Sequence, residues 1–286
     1  MRKENSQKKT RLITIIVTVS FIIGLIITVG LYNNWFTPGR PEAVIHFSVD
    51  DVIDVFENLT DNQESYDSIF DNEMLEHFRE MHELYGAKFS LYCFYECGNF
   101  NLSAVPGKYH DEFMDNSDWL CFGYHAKNSS TDPVAIAAED IENEYVLTVS
   151  ELERITGSVT YTLRLSMFQG NRRAMIRLKQ LGVKTLLTAD DDRNSYYLGE
   201  SESKYVADHD SYEDEFYRFV STDLRLDSLS RIAIIPKLIR IAFDQQQNKI
   251  LVVFTHEWLM GDEMYKKIRD VCRFSKKYHY RFVLNP

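Results

Sequence analysis

The chain predicts an α/β fold: one N-terminal transmembrane helix followed by a seven- or eight-stranded (β/α) barrel, regular or distorted. Three observations carry this expectation. Short apolar, β-rich runs alternate with amphipathic helical patterns over residues 43–286. The runs are mostly apolar without strict alternation, as strands are when helices cover one side and a packed interior the other. Ionisable residues stand at the ends of several runs: Asp50 and Asp51, His125, Arg164, Asp190 with Asp191 and Asp192, and His256 with Glu257. In a parallel β/α architecture such ends share one face.

The N-terminal element comes first. Arg2, Lys3, Lys8, Lys9 and Arg11 stand against Glu4 alone, and no further charge appears until Arg40. Residues 12–32 between them are nearly all apolar and, at about 1.5 Å per helical residue, match a hydrocarbon layer of roughly 30 Å. The expected organisation is a basic cytoplasmic tail over 1–11, a membrane helix over 12–32, a linker over 33–42 and one barrel domain over 43–286. A cleaved signal peptide is the competing reading, but it calls for a shorter apolar core and a small-x-small site that residues 28–32 do not supply. The positive-inside tendency then sets the C-terminal domain outside the cytoplasm.

Within the barrel, strands are expected over 44–49, 89–95, 120–125, 159–165, 184–189, 216–221, 250–255 and 280–284. Met74, Leu75, Phe78, Met81 and Leu84 repeat at helical spacing, with Gly86 as a C-terminal cap. Ala138, Ile141, Tyr145, Leu152 and Ile155 do the same up to Gly157, and Ala174, Met175, Leu178 and Leu181 up to Gly182. Met264, Ile268, Val271 and Cys272 mark the last helix. Residues 53–66 and 193–215 are expected as long cleft-shaping loops. The acidic stretch 208–215 is a solvated loop in this reading, since it lacks the glycine-turn spacing of an EF-hand.

Composition sets the outer bounds. At 286 residues, 44% hydrophobic and 13% aromatic, the chain can build one large core. Its net charge is −11; the first eleven residues hold +4, which leaves −15 on the remainder and makes nucleic acid an unsuitable partner. Four cysteines are too few for a disulfide scaffold. Cys93 and Cys97, four apart in one strand, would lie about 13 Å from each other and serve as packing residues.

The strand ends carry the chemistry. Asp50 and Asp51 follow a buried run, a costly placement unless a cation, a proton or hydrogen bonds compensate. Neighbouring side chains of an extended segment point opposite ways, so one could face a substrate water and the other a metal; loop capping is the plain alternative. His125 suits a divalent ion such as Zn²⁺, or a structural role. His256 stands beside Glu257 and Trp258, for which helix capping and core packing are the alternatives.

The order of these segments resembles the polysaccharide deacetylase family, carbohydrate esterases that remove N- or O-acetyl groups from glycans. Ser48-Val49-Asp50-Asp51-Val52 takes the place of the family's Thr-Phe-Asp-Asp-Gly, which implies Asp50 as base and Asp51 as metal ligand. His125 matches the first histidine of a His-x-x-x-His motif, whose second histidine would fall at Ser129. Arg164 resembles the arginine that orients the base, though Leu165, Ser166, Met167 and Phe168 replace the family's Pro-Pro-Tyr-Gly. His256 resembles the general acid. The resemblance implies a divalent metal, Zn²⁺ first; Asp190 or Asp191 could complete its shell or, with Asp192, cap the loop before Arg193, and Glu257 is a further candidate. It also implies a carbohydrate or cell-envelope glycan as substrate. Glycoside hydrolysis by a carboxylate pair on the same barrel, and a catalytically inactive glycan-binding protein, are the two alternatives.

Overall fold

The structure, a computed structural model, describes residues 14, 16, 18–24, 43–191, 193–244 and 250–286. Two units separate at residues 41 and 42. In the first, Thr14, Ile16 and residues 18–24 are helical and exposed. The remainder of the expected membrane helix 12–32, the basic tail 1–11 and the linker 33–42 lie outside the described residues. Among the described residues no helix is long and apolar enough to cross a membrane.

The second unit carries twelve described strands in chain order: β1 (Val44–Val52), β2 (Phe89–Phe94), β3 (Glu96–Cys97), β4 (Phe100–Asn101), β5 (Leu120–Ala126), β6 (Thr162–Leu163), β7 (Thr185–Leu187), β8 (Ser211–Glu213), β9 (Arg218–Val220), β10 (Leu224–Arg225), β11 (Ile250–His256) and β12 (Arg281–Phe282). A parallel sheet runs β10-β11-β1-β2-β5, with β12 pairing the start of β1. A second runs β6-β7-β9-β8, in which β8 alone is antiparallel. On one side a main-chain hydrogen bond bridges the two sheets, Thr160 N–H donating to Phe122 O at 2.8 Å, and on the other the chain passes directly from β9 to β10. The parallel strands therefore form a distorted barrel split into a long-stranded and a short-stranded half. A strand stands at each of the eight expected runs, although those of the second sheet are only two or three residues long.

Among the described residues of this unit eight α-helices accompany the sheets: α1 (Asp54–Asp61), α2 (Glu73–Tyr85), α3 (His110–Asp115), α4 (Ala138–Thr156), α5 (Arg172–Gln180), α6 (Glu200–His209), α7 (Arg231–Asp244) and α8 (Asp262–Lys277). Asn72 starts α2 by accepting from Met74 and Leu75 N–H, and Gly86 ends it at φ 68, as left-handed C-caps require. Three expectations are corrected. Residues 53–66 and 193–215 are not plain loops, since they hold α1 and α6, and the acidic stretch 208–215 runs from α6 into β8. Asp214 there accepts from Phe216 and Tyr217 N–H, so the carboxylate organises a turn. Cys93 is buried, but Cys97 is exposed in the β3–β4 hairpin and packs against no core; both are free thiols.

The packed wall behind the site is aromatic: Phe47 meets Phe89 edge-on at 5.3 Å and Phe78 stacks on Phe89 at 4.2 Å. The barrel interior also holds polar groups. His46 is fully buried on β1, where burial first, and Arg164 second, push its imidazole down to about 3, so it is neutral.

Candidate active site

β1 ends in an irregularity: its register against β2 shifts between Val49 and Val52, and Asp51 adopts φ 60. Aspartate tolerates this left-handed conformation better than most residues. The bulge cancels the alternation of an ordinary strand, so Asp50 and Asp51 line one pocket instead of opposite faces. Val52, at the place of the glycine in the resembled motif, is buried, and the left-handed residue is Asp51.

Asp50 is the register partner of His256 across the parallel β1–β11 pair. Its Oδ2 lies 3.6 Å from Nη1 of Arg164, and Oδ1 is buried without a hydrogen-bond partner. Arg164 is 0% exposed; Nη2 donates to Thr222 Oγ1 at 3.2 Å, and the guanidinium sits 4.1 Å over the Phe254 ring. Burial raises the Asp50 carboxyl above its ordinary range, while Arg164, His125 and His256 oppose that rise.

His125, at the end of β5, faces Asp51 with Nε2 3.2 Å from Oδ1, and its Nδ1 bonds the Arg164 carbonyl. Trp258 Nε1 donates to Asp51 Oδ2 at 3.1 Å. For the imidazole, burial opposes the charged form, but Asp51 and Asp50 outweigh it and the result is a raised pKa. For Asp51 burial works upward, yet His125, His256 and Trp258 hold it below its ordinary value.

His256 closes β11. Its Nδ1 lies 3.1 Å from Asp227 Oδ2, the same oxygen that accepts from Arg225 Nε at 2.9 Å. That leaves Nε2 as the ring nitrogen available to a substrate. Burial pushes Asp227 upward, but hydrogen bonds from His256 and Arg225 bring it below the ordinary carboxylate value.

These groups share a cavity of about 280 Å³. Asp50, Asp51, His125 and His256 line it together with Arg193 and Arg225, Ser129, and the apolar Phe94, Leu165, Met167 and Phe168. Arg164 touches it through Asp50. Three expected site residues stand elsewhere. Asp190 and Asp191 are not among the lining groups; Asp191 instead pairs with Arg193 at 2.6 Å, which lowers its pKa, and Arg193 reaches the pocket in its place. Asp192 lies outside the described residues. Glu257 points away from the pocket and accepts from Ile53, Asp54 and Val55 N–H at 2.6, 2.7 and 2.8 Å, capping the start of α1. Sequence reasoning missed Asp227, Arg225 and Arg193. The only signal for the first two was a two-residue strand, too short to register as a run.

No family model matches the chain, and no curated protein matches it. Solved structures do. A Mycobacterium smegmatis protein assigned as a polysaccharide deacetylase superposes with a TM-score of 0.55 at 10% identity, covering 87% of this chain and 89% of that one. The chain has the polysaccharide deacetylase fold. A mutant CE4 family pseudoenzyme from Bacillus anthracis, with restored enzymatic activity, superposes with a TM-score of 0.51 at 10% identity over 84% of this chain. This chain spans 65% of the length of that pseudoenzyme. At these identities the likeness is one of fold.

On this deacetylase fold the implied metal meets a poor donor set. Asp51 and His125 bond to each other, and Ser129, which lines the same cavity, offers only a hydroxyl. Among the described residues no group of three or more His, Cys, Asp or Glu is arranged to hold an ion. A catalytic Zn²⁺ takes three protein ligands. The residues present do not fit the group.

Proposed function

We propose that the chain is a membrane-anchored, extracytoplasmic hydrolase of the deacetylase type, which removes acetyl groups from a carbohydrate such as a cell-envelope glycan. The observation that carries this is the pairing of Asp50 with His256: a buried carboxylate and an imidazole, in register on adjacent strands, open to one cavity. The fold supports the reading, and the apolar span 12–32 with its basic flank supports the anchor.

In this mechanism a water in the cavity donates its proton to the Asp50 carboxylate while its oxygen attacks the acetyl carbonyl. The charge that develops on the carbonyl oxygen meets a lining that carries His125, Arg193 and Arg225. His256, oriented through Nδ1 by Asp227, gives the proton on Nε2 to the departing nitrogen or oxygen as the acyl bond breaks. Acetate and the free amine or alcohol leave. Arg164 keeps Asp50 in place and favours its ionised form.

Ser129 and the incomplete metal set favour a second reading, binding without turnover. One experiment separates them: acetate release and equilibrium binding measured for the full chain in detergent with acetylated amino-sugar oligomers and acetylated xylan, with and without divalent ions. Release that disappears in Asp50→Ala supports the hydrolase. Binding with no release under any condition supports the second reading, and neither binding nor release contradicts both.

A further inference from the structure

Met167 and Phe168 are consecutive residues in the left-handed region, both at φ 58, where Cβ crowds the following carbonyl. Hydrogen bonds hold the turn: Phe168 N–H to Leu165 O at 2.9 Å, and Tyr196 N–H to Phe168 O at 2.7 Å. The turn sends Phe168 inward, its ring 5.6 Å from the Arg164 guanidinium, and sends Met167 out to the pocket lining, 58% exposed. Strain of this kind persists where the surroundings enforce it and concentrates at ligand sites. An exposed thioether gives the fold little packing in return.

Trp258 is the second member. It is 61% exposed, its Nε1 is tied to Asp51, and its ring centroid lies 5.6 Å from that of His256. Among the described residues of the unit 42–286, only Ile232 is a more exposed large apolar side chain than these two. Two of the three therefore belong to the surroundings of the acid–base pair, a placement that packing alone does not call for.

We infer that Met167 and Trp258 are specificity-determining residues that hold the apolar face of a pyranose ring beside the scissile acetyl group. The ligand class is an acetylated sugar ring; acetyl esters and amides of small acyclic alcohols and amines lack the face that these side chains cover. A pyranose presents C–H groups on its faces and hydroxyls at its edge, which matches a thioether that shares the lining with the guanidinium groups of Arg193 and Arg225 and an indole that stands against His256. This inference rests on the hydrolytic reading of the same cavity.

The test uses the full chain with Trp258→Ala, Trp258→Phe and Met167→Gly. Steady-state kinetics are measured on an acetylated amino-sugar oligomer and on an acyclic acetyl ester, and Tm on each variant. Trp258→Ala is expected to raise KM for the oligomer about tenfold with a smaller change in kcat, and Trp258→Phe to recover most of it. Met167→Gly is expected to raise KM for the oligomer while Tm stays at or above the parent's, because glycine is at ease at φ 58. Both changes should raise KM for the oligomer more than KM for the acyclic ester. An oligomer KM unchanged in Trp258→Ala and Met167→Gly overturns the inference, as does a Tm several degrees lower in Met167→Gly, which would make the side chain a structural plug. If the parent hydrolyses neither substrate, the hydrolytic reading fails and calorimetric binding of the oligomer decides: affinity about tenfold weaker in Trp258→Ala upholds the ring contact, and equal affinity removes it.

Discussion

Asp50 has a raised pKa because it is buried, and Arg164 is the first group that opposes the rise. A base must be ionised, so activity should fall as pH drops through that raised value, placing the acid limb of kcat/KM above the ordinary carboxylate range. Arg164→Gln should move the limb to higher pH and, by leaving a buried carboxylate unpaired, lower stability by about 3–5 kcal/mol. A pH–rate profile and an unfolding curve check both; a limb that moves down contradicts the pairing. Ser129 offers a different test. It lines the same cavity as Asp51 and His125, so Ser129→His adds a third donor beside two that already meet. The variant should retain stoichiometric Zn²⁺ or Co²⁺ after dialysis where the parent does not, and an equal metal content in the two would contradict the fit argument. Of the residues around the cavity, those that end long apolar runs were legible in the sequence: Asp50, Asp51, His125 and His256. Arg164 was legible by motif, and Asp227 was not, because a partner that acts through one hydrogen bond leaves no pattern along the chain.

Glu257 shows how one residue joins two elements. It follows His256 on β11, yet its carboxylate caps α1, which follows Asp50 and Asp51 on β1. Burial raises its pKa to about 7, against the three backbone donors that pull it down. The folded value lies above the unfolded one, so the stabilisation is complete below about 4.5 and is lost as pH rises through about 7. Tm should accordingly decline between pH 5 and pH 8, and Glu257→Gln should flatten that decline; an equal slope in parent and variant would show that another group sets it. At this scale the helices with a long apolar face and a glycine stop, α2 and α4, were legible. α7 was not, because Pro236 lies inside it and proline signals a break. α1 and α6 were hidden by short length and polar composition. The bulge in β1 was equally hidden, since nothing in Ser48-Val49-Asp50-Asp51-Val52 announces that Asp51 will take the left-handed conformation.

Across the whole molecule, the class of fold was read correctly because alternating strands and helices leave few ways to bury both faces of a parallel sheet. The split of the barrel into two sheets was not legible, since the second sheet is built from strands of only two or three residues. The N-terminal 41 residues bear on placement in the cell: the full chain should pellet with membranes, and a version lacking residues 1–41 should be recovered in the soluble fraction. Recovery of both in the same fraction would remove the anchor. The proposed hydrolysis depends on the buried carboxylate of Asp50 and the imidazole of His256 beside it. Single-turnover acetate release by the full chain, compared with Asp50→Asn and His256→Gln, asks this directly. Each substitution should lower the rate by roughly 10²- to 10⁴-fold with substrate affinity little changed. An Asp50→Asn variant that releases acetate at the parent's rate would contradict it.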